Sequence, residues 1–335
     1  MPSFHGYAAP AAGKPLEPIS FEPRPLGPED VEIAISHCGL CHSDLHLIND
    51  DWRMSRYPLV PGHEIVGTVS ATGAAVKALK PGQRVGVGWQ SGSCGCCEWC
   101  ERGEDNFCPG NIATCLPGPG GFADRIRVSA RFAIPIPEAL PSQDAAPLMC
   151  GGITVYTPLR ESGMGAQSRV GIIGVGGLGH LAIQFARARG CEVTAFSTSP
   201  DKEAEARALG AHRFVATRDP SALKALANSF DFILSTVSAD LPWMDYVSAL
   251  RPRGELCFVG ASPSPVSLPV FPLITGSKRV SGSNTGSPAG LREMLEVAAR
   301  HGVRARTELF PLTEVNTALA RVARNEVRYR AVLAL

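Results

Sequence analysis

Val170-Gly171-Ile172-Ile173-Gly174-Val175-Gly176-Gly177-Leu178-Gly179 is the stretch on which the fold turns. Its apolar run, Val170 to Val175, reads as a buried strand. It closes in G-x-G-x-x-G, and from Leu178 to Ala188 apolar residues recur at helical spacing. A glycine-rich loop alone is often only a turn, but between a buried strand and an opening helix it is a dinucleotide fingerprint. Gly174 permits the tight turn, Gly176 lets the backbone approach a pyrophosphate, and Gly179 lets helix pack on strand. The helix N-terminus beyond Gly177 and Leu178 then offers N–H groups to the phosphates. Downstream the alternation continues, with strands at Glu192–Phe196, Asp231–Leu234, Glu255–Val259 and Val280–Ser283 and a helix from about Lys202 to Leu209. This is the βαβ pattern of a doubly wound parallel sheet. A helix at Leu291–Arg300 and a strand-like Tyr329–Leu335 end the chain, and Pro263, Pro265 and Pro269 mark a loop.

Upstream the texture differs. Val31–Ile35, Ile65–Val69 and Arg84–Val87 are short apolar runs in a Pro- and Gly-rich setting, with Pro81-Gly82 as a turn and Phe122–Val128 as another strand. They predict a compact β-rich domain, so the fold class is α/β with two domains.

The 335 residues suffice for two domains, and 44% hydrophobic residues can fill both cores. Lys plus Arg (32) nearly cancels Asp plus Glu (31), so no strong field draws nucleic acid or an anionic membrane. No apolar run reaches the roughly 18 residues a membrane span needs. Met1 to Pro10 lacks the charged start and apolar core of a signal peptide. A reducing cytoplasm is therefore expected, with eleven cysteines used as metal ligands and buried thiols.

Cys94, Cys97, Cys100 and Cys108 read C-x2-C-x2-C-x7-C in a lobe spanning about residues 93–109. That spacing can wrap four thiolates around one tetrahedral zinc, and a closed set of this kind is structural. Cys96 breaks the spacing and is expected to point away. Unpaired thiols are the alternative, as is a metal-sensing protein or a zinc knuckle on nucleic acid, although Glu98, Glu101, Glu104 and Asp105 make the surroundings acidic.

The end of the second parallel strand reads Ala195-Phe196-Ser197-Thr198-Ser199-Pro200, with no carboxylate before Asp201. An NAD site wants an acid there for the ribose 2′-hydroxyl. Small hydroxyls with Lys202 nearby suit a 2′-phosphate and favour NADP. Ser199 and Asp201 as helix caps, with Lys202 a solvated charge, is the competing account.

Coordinating side chains also gather at Cys38-Gly39-Leu40-Cys41-His42-Ser43-Asp44-Leu45-His46, at Gly62-His63-Glu64 and at Cys150. Three ligands from distant segments describe a catalytic zinc site with an open position. Taken singly, Cys150 or Cys38 could be a buried apolar thiol and His63 a hydrogen-bonded core histidine.

Together, HCGLCHSDLH (37–46), PGHEIVGTV (61–69), the cysteine lobe, CGGITVY (150–156) and GVGGLGH (174–180) resemble the zinc-dependent medium-chain alcohol dehydrogenases, in particular the cinnamyl-alcohol-dehydrogenase-like branch with its NADPH-dependent aldehyde reductases. The resemblance covers nearly the whole chain, except that the segment from Pro109 to Gly121 is short. It implies a GroES-like catalytic domain (1–148), a Rossmann NADP-binding domain (149–288) and a C-terminal segment (289–335) returning to the first. It implies one catalytic zinc on Cys41, His63 and Cys150, with Glu64 able to enter as a fourth ligand, and one structural zinc in the lobe. Asp44 is then the carboxylate behind His63, Ser43 the hydroxyl beside the reacting oxygen and His46 the solvent end of a proton relay. His42, Val259, Gly260 and Ser283 join the glycine loop and Ser197, Thr198, Ser199 and Lys202 as coenzyme contacts. Trp52 and Trp89 line the substrate cleft or serve as core or interface aromatics. The implied function is hydride transfer between NADP(H) and a primary alcohol or aldehyde, aromatic or aliphatic, by a homodimer. A zinc-free quinone or enoyl reductase on the same architecture is the alternative, and it should lack the Cys41, His63 and Cys150 set.

Overall fold

A computed structural model describes residues 3–335; Met1 and Pro2, the start of the stretch read for a leader, lie outside the described residues. The chain divides into two units, one running up to Ile153 and resuming at Thr285, the other Thr154–Asn284.

In the first unit β1 (Phe4–Ala8) and β2 (Glu17–Phe21) pair as a hairpin, followed by β3 (Asp30–Gly39), β4 (Glu64–Thr72), β5 (Arg84–Val87), the short pair β6 (Gln90–Gly92) and β7 (Ile112–Ala113), β8 (Arg125–Ser129) and β9 (Ile134–Pro135). The second unit holds β10 (Arg169–Ile173), β11 (Glu192–Ser197), β12 (Arg213–Ala216), β13 (Phe230–Ser235), β14 (Leu250–Phe258) and β15 (Arg279–Gly282). The chain then returns to the first unit with β16 (Thr307–Pro311) and β17 (Arg330–Ala334).

The main sheet of the first unit runs β16–β17–β3–β4–β5–β9, with β8 also on β3. Its register sets Leu333 opposite Cys38, Val332 opposite Gly39, and Gly39 opposite Glu64. The core packs Val31, Ile33, Ile65, Val69, Val85 and Phe122 with Val315, Ala318 and Leu333 from the returning segment.

The second unit is a sheet of order β12–β11–β10–β13–β14–β15 with every pairing parallel. β10 is apolar because it is central, and Val170 and Ile172 are fully buried. Gly171 leaves room for the Phe196 ring, 2.8 Å from where a Cβ would sit. The helix Gly179–Ala188 buries Leu181, Ala182, Ile183, Phe185 and Ala186, as its periodicity requires.

Several expected elements differ at their ends. The strand expected from Phe122 begins at Arg125, because Phe122 donates its backbone bond to Pro61 while Ala123 and Asp124 touch β1 only through an isolated bridge to Gly6 and a bond to His5. β12 and β16 carried too little apolar pattern to be read. Pro269 caps a helix, Val270–Gly276, rather than lying wholly in a loop. Among the described residues no helix is long and apolar enough to cross a membrane.

Candidate active site

Cys41 lies two residues past the end of β3 and caps the helix His42–Asn49, its backbone N–H donating to Asp44 Oδ2 at 2.9 Å. His63 immediately precedes β4, and Glu64 is its first residue. Cys150 follows a 3-10 turn, Ala146–Met149, and precedes the helix Gly151–Glu161. These three segments bring ligand atoms of Cys41, His63, Glu64 and Cys150 within 4.8 Å of one another.

His63 is fully buried, and its Nδ1 donates to Asp44 Oδ1 at 3.0 Å. The same oxygen accepts the Gly62 N–H at 3.0 Å. Nε2 is left buried with no hydrogen-bond partner. An orphaned buried nitrogen costs about 1–3 kcal/mol, and it faces two thiols and a carboxylate. Soft sulfur and imidazole donors of this kind fit zinc. Burial alone would lower the His63 pKa, but the charges of Asp44 and Cys150 outweigh it and hold it well above the ordinary value. The two thiols titrate as a pair: the hydrogen bond from Cys150 holds Cys41 well below the usual thiol range and pushes Cys150 well above it. Metal binding needs both as thiolates and so must release protons.

Glu64 extends one carboxylate oxygen to Arg330, itself only 6% exposed, while its Oε2 has no partner. Burial pushes the Glu64 carboxyl up to about 7, with the Arg330 charge opposing. Ser43 Oγ lies 3.6 Å from Cys41 Sγ. His46 Nδ1 and Asp51 Oδ2 are 2.7 Å apart near the surface. An aromatic row leads inward from there. The His46 and Trp52 centroids are 5.1 Å apart, Trp52 meets Trp89 edge-on at 6.1 Å, and Trp89 meets His63 edge-on at 4.9 Å. His42, exposed, opens the helix of Ser43 and Asp44.

Three neighbours escaped sequence reasoning. Arg330, Asp51 and Cys115 belong to no spacing that marks a site. Cys115 Sγ donates to Gly62 O at 3.2 Å and helps hold the loop that carries His63.

The lobe brings Cys94, Cys97, Cys100 and Cys108 together, with Sγ–Sγ distances of 3.5, 3.6 and 3.9 Å. Four thiolates at about 2.3 Å from a tetrahedral zinc stand about 3.8 Å apart, so the spacing fits one ion. Cys96 is exposed and is not in the cluster. Arg131 anchors the lobe, donating to Cys100 O and Asp105 Oδ2 at 3.0 Å each.

In the second unit the expected coenzyme residues all follow carboxyl ends of parallel strands, where such sheets bind nucleotides. Gly174 follows β10 with φ +94°, and its N–H donates to Phe196 O at 2.9 Å. A Cβ on Gly179 would collide with Gly174 O, whereas one on Gly176 would meet nothing within 4 Å. The loop is therefore tight where helix meets strand and open at Gly176. Ser197 Oγ, at the end of β11, accepts the Ser199 N–H at 3.1 Å, and exposed Thr198 lies between them. Lys202 Nζ donates to Val175 O at 2.9 Å, tying the two strand ends together rather than standing as a solvated charge. Val259 and Gly260 follow β14, their N–H groups on Ser235 O, and Ser283 follows β15.

Comparison with known proteins agrees with this architecture. The family model of the alcohol dehydrogenase GroES-like domain matches residues 27–138, and that of the zinc-binding dehydrogenase matches 177–300. The chain is 44% identical over 327 residues to an aldehyde reductase of Synechocystis sp., covering 98% of this chain and 97% of that one. Among solved structures, a cinnamyl alcohol dehydrogenase of Sorghum bicolor superposes with a TM-score of 0.95 at 42% identity, over 99% of this chain and 98% of its own. A Helicobacter pylori cinnamyl alcohol dehydrogenase complexed with NADP(H) superposes with a TM-score of 0.91 at 32% identity, over 99% and 98%. The first unit is a GroES-like domain and the second a Rossmann domain.

Proposed function

The chain belongs to the zinc-binding medium-chain alcohol dehydrogenases, in their cinnamyl-alcohol-dehydrogenase-like branch, and we propose on that premise that it is an NADP(H)-dependent aldehyde reductase holding two zinc ions. The observation that carries the metal-dependent reading is the partnerless Nε2 of His63 among two thiols and a carboxylate. Cys41, His63 and Cys150 would hold one zinc with a fourth position open, and the lobe thiols the second. When bound, the open-site zinc supplies Lewis-acid polarisation of a substrate oxygen and the reduced coenzyme supplies hydride.

The chain's own residues do the rest. Asp44 accepts the Nδ1 proton of His63, fixing the tautomer and turning the Nε2 lone pair to the donor cluster. The Ser43 hydroxyl, beside that cluster, hands its proton to the substrate oxygen in reduction and takes it back in oxidation. His46 exchanges this proton with water, and Asp51 holds its ring. Trp52 and Trp89 supply flat apolar walls for the carbon skeleton of an aromatic or aliphatic aldehyde.

The strand end without an acid, bearing Ser197, Thr198 and Ser199, supports NADP over NAD, and that coenzyme supports aldehyde reduction as the working direction. A homodimer is supported by exposed Val270, Phe271 and Ile274 on the helix that precedes the edge strand β15. Cytoplasmic residence is supported by eleven free cysteines. The test is NADPH oxidation across a panel of aldehydes together with metal analysis. Turnover that survives removal of the open-site metal would refute the reading in favour of a zinc-free reductase.

A further inference from the structure

Gly39 sits in β3, a strand paired on both sides by β17 and β4. Glycine weakens a strand interior and there marks close approach. Its backbone is not left-handed, so conformation does not explain the residue. Space does. Glu64 stands directly opposite on β4, and Arg330 lies on β17, on the other side of β3. Neighbouring strands run about 4.8 Å apart, so the Glu64 carboxylate must pass over β3 to reach Arg330. It passes at Gly39: a Cβ there would lie 3.0 Å from Glu64 Cβ and far inside contact distance of Glu64 Oε2.

We propose that Gly39 is a positioning residue of the active site, whose missing side chain opens the channel that lets Glu64 rest on Arg330 and leaves the fourth metal position free for substrate. The inference rests on the metal-dependent reading above. With the channel closed, the buried carboxylate still has polar neighbours within reach in the donor atoms of Cys41, His63 and Cys150. Gly39→Ala therefore drives Glu64 onto the metal.

The test uses full-length protein with cobalt(II) exchanged for zinc, and imidazole as a probe of the open position; the four-thiolate lobe has no open position and cannot answer it. In Gly39→Ala the apparent Kd for imidazole, read from the visible cobalt spectrum, should rise about tenfold or more, as for any site whose competent state is depleted to a tenth. In Gly39→Ala/Glu64→Ala it should return to the value of Glu64→Ala alone. Unchanged imidazole binding in Gly39→Ala, or a defect that persists in the double variant, overturns the proposal. Should Gly39→Ala fold poorly, melting decides: recovery in the double variant supports the channel, and no recovery overturns it. A parent protein that holds no cobalt at the open site would instead refute the functional reading, and the parent spectrum alone shows it.

Discussion

Asp44→Asn changes one atom and removes one charge, and its cost can be worked from the contacts. The carboxylate is fully buried and accepts three hydrogen bonds, from Cys41 N at 2.9 Å and from Gly62 N and His63 Nδ1 at 3.0 Å each. Asparagine can keep Oδ1 on Gly62 and His63. Its amide must then face the Cys41 N–H, donor against donor. One charge-assisted bond is lost, about 1.5–3 kcal/mol of stability, and a further penalty attaches to the stranded Cys41 N–H. The two bonds that remain lose their charge assistance, and His63 becomes a poorer donor to metal. Replacing such a partner typically costs about 10–100-fold in metal affinity, or about 1.4–2.7 kcal/mol. The assay is competition for zinc with a chromophoric chelator, set beside the melting temperature of the metal-free protein. The open site should weaken by that factor while the lobe keeps its ion. Equal zinc affinity in variant and parent would refute the claim that Asp44 acts through His63.

Cys41→Ala should abolish turnover while NADPH binding, followed by fluorescence titration, stays within about twofold, since binding free energies at separate sites are near-additive. Cys100→Ser should lower the melting temperature and reduce zinc from two ions per chain to one; unchanged values of both would contradict the lobe assignment. Ser199→Asp should weaken NADPH at least about tenfold relative to NADH, because about 1.4 kcal/mol of like-charge repulsion gives that factor. Glu32 provides a pH test. Burial pushes its carboxyl up, yet hydrogen bonds from Arg127, Arg125 and Ser70 prevail and leave it below the ordinary 4.5. A depressed native pKa adds stability above the unfolded value and loses it as pH falls through the native one. The melting gap between parent and Glu32→Gln should thus hold above about pH 5 and close as the pH drops below about 4; a gap that widens in acid would reverse the sign.

The Rossmann unit was legible because one central strand and one glycine loop each obey a local rule. β10 is apolar by burial, and Gly174 and Gly179 answer steric demands felt within a few residues. The four-cysteine cluster was legible for the same reason, its thiols lying within one short segment. The open site was less so. Cys41, His63 and Cys150 are separated by long stretches, and from residue chemistry alone each had an ordinary structural explanation; the succession of family motifs raised them above it. Arg330 lay beyond both kinds of reasoning. Its role depends on the pairing of β17 with β3, a tertiary register that no local periodicity encodes. The sequence marked Lys202 as a cation beside the end of β11, but not its bond to Val175 O, which depends on the way two strand ends converge.

The first unit is interrupted by the whole of the second, and the strand carrying Arg330 pairs with one near the chain's beginning, Leu333 against Cys38. Closing so long a loop is entropically slow when the intervening chain is loose. A Rossmann segment that collapses first, on its own near-neighbour contacts, draws the two ends of its host together. Maturation of the catalytic sheet would then be paced by a module that supplies none of its donors, and a lesion that delays the inserted segment could show itself as a defect in metal capture.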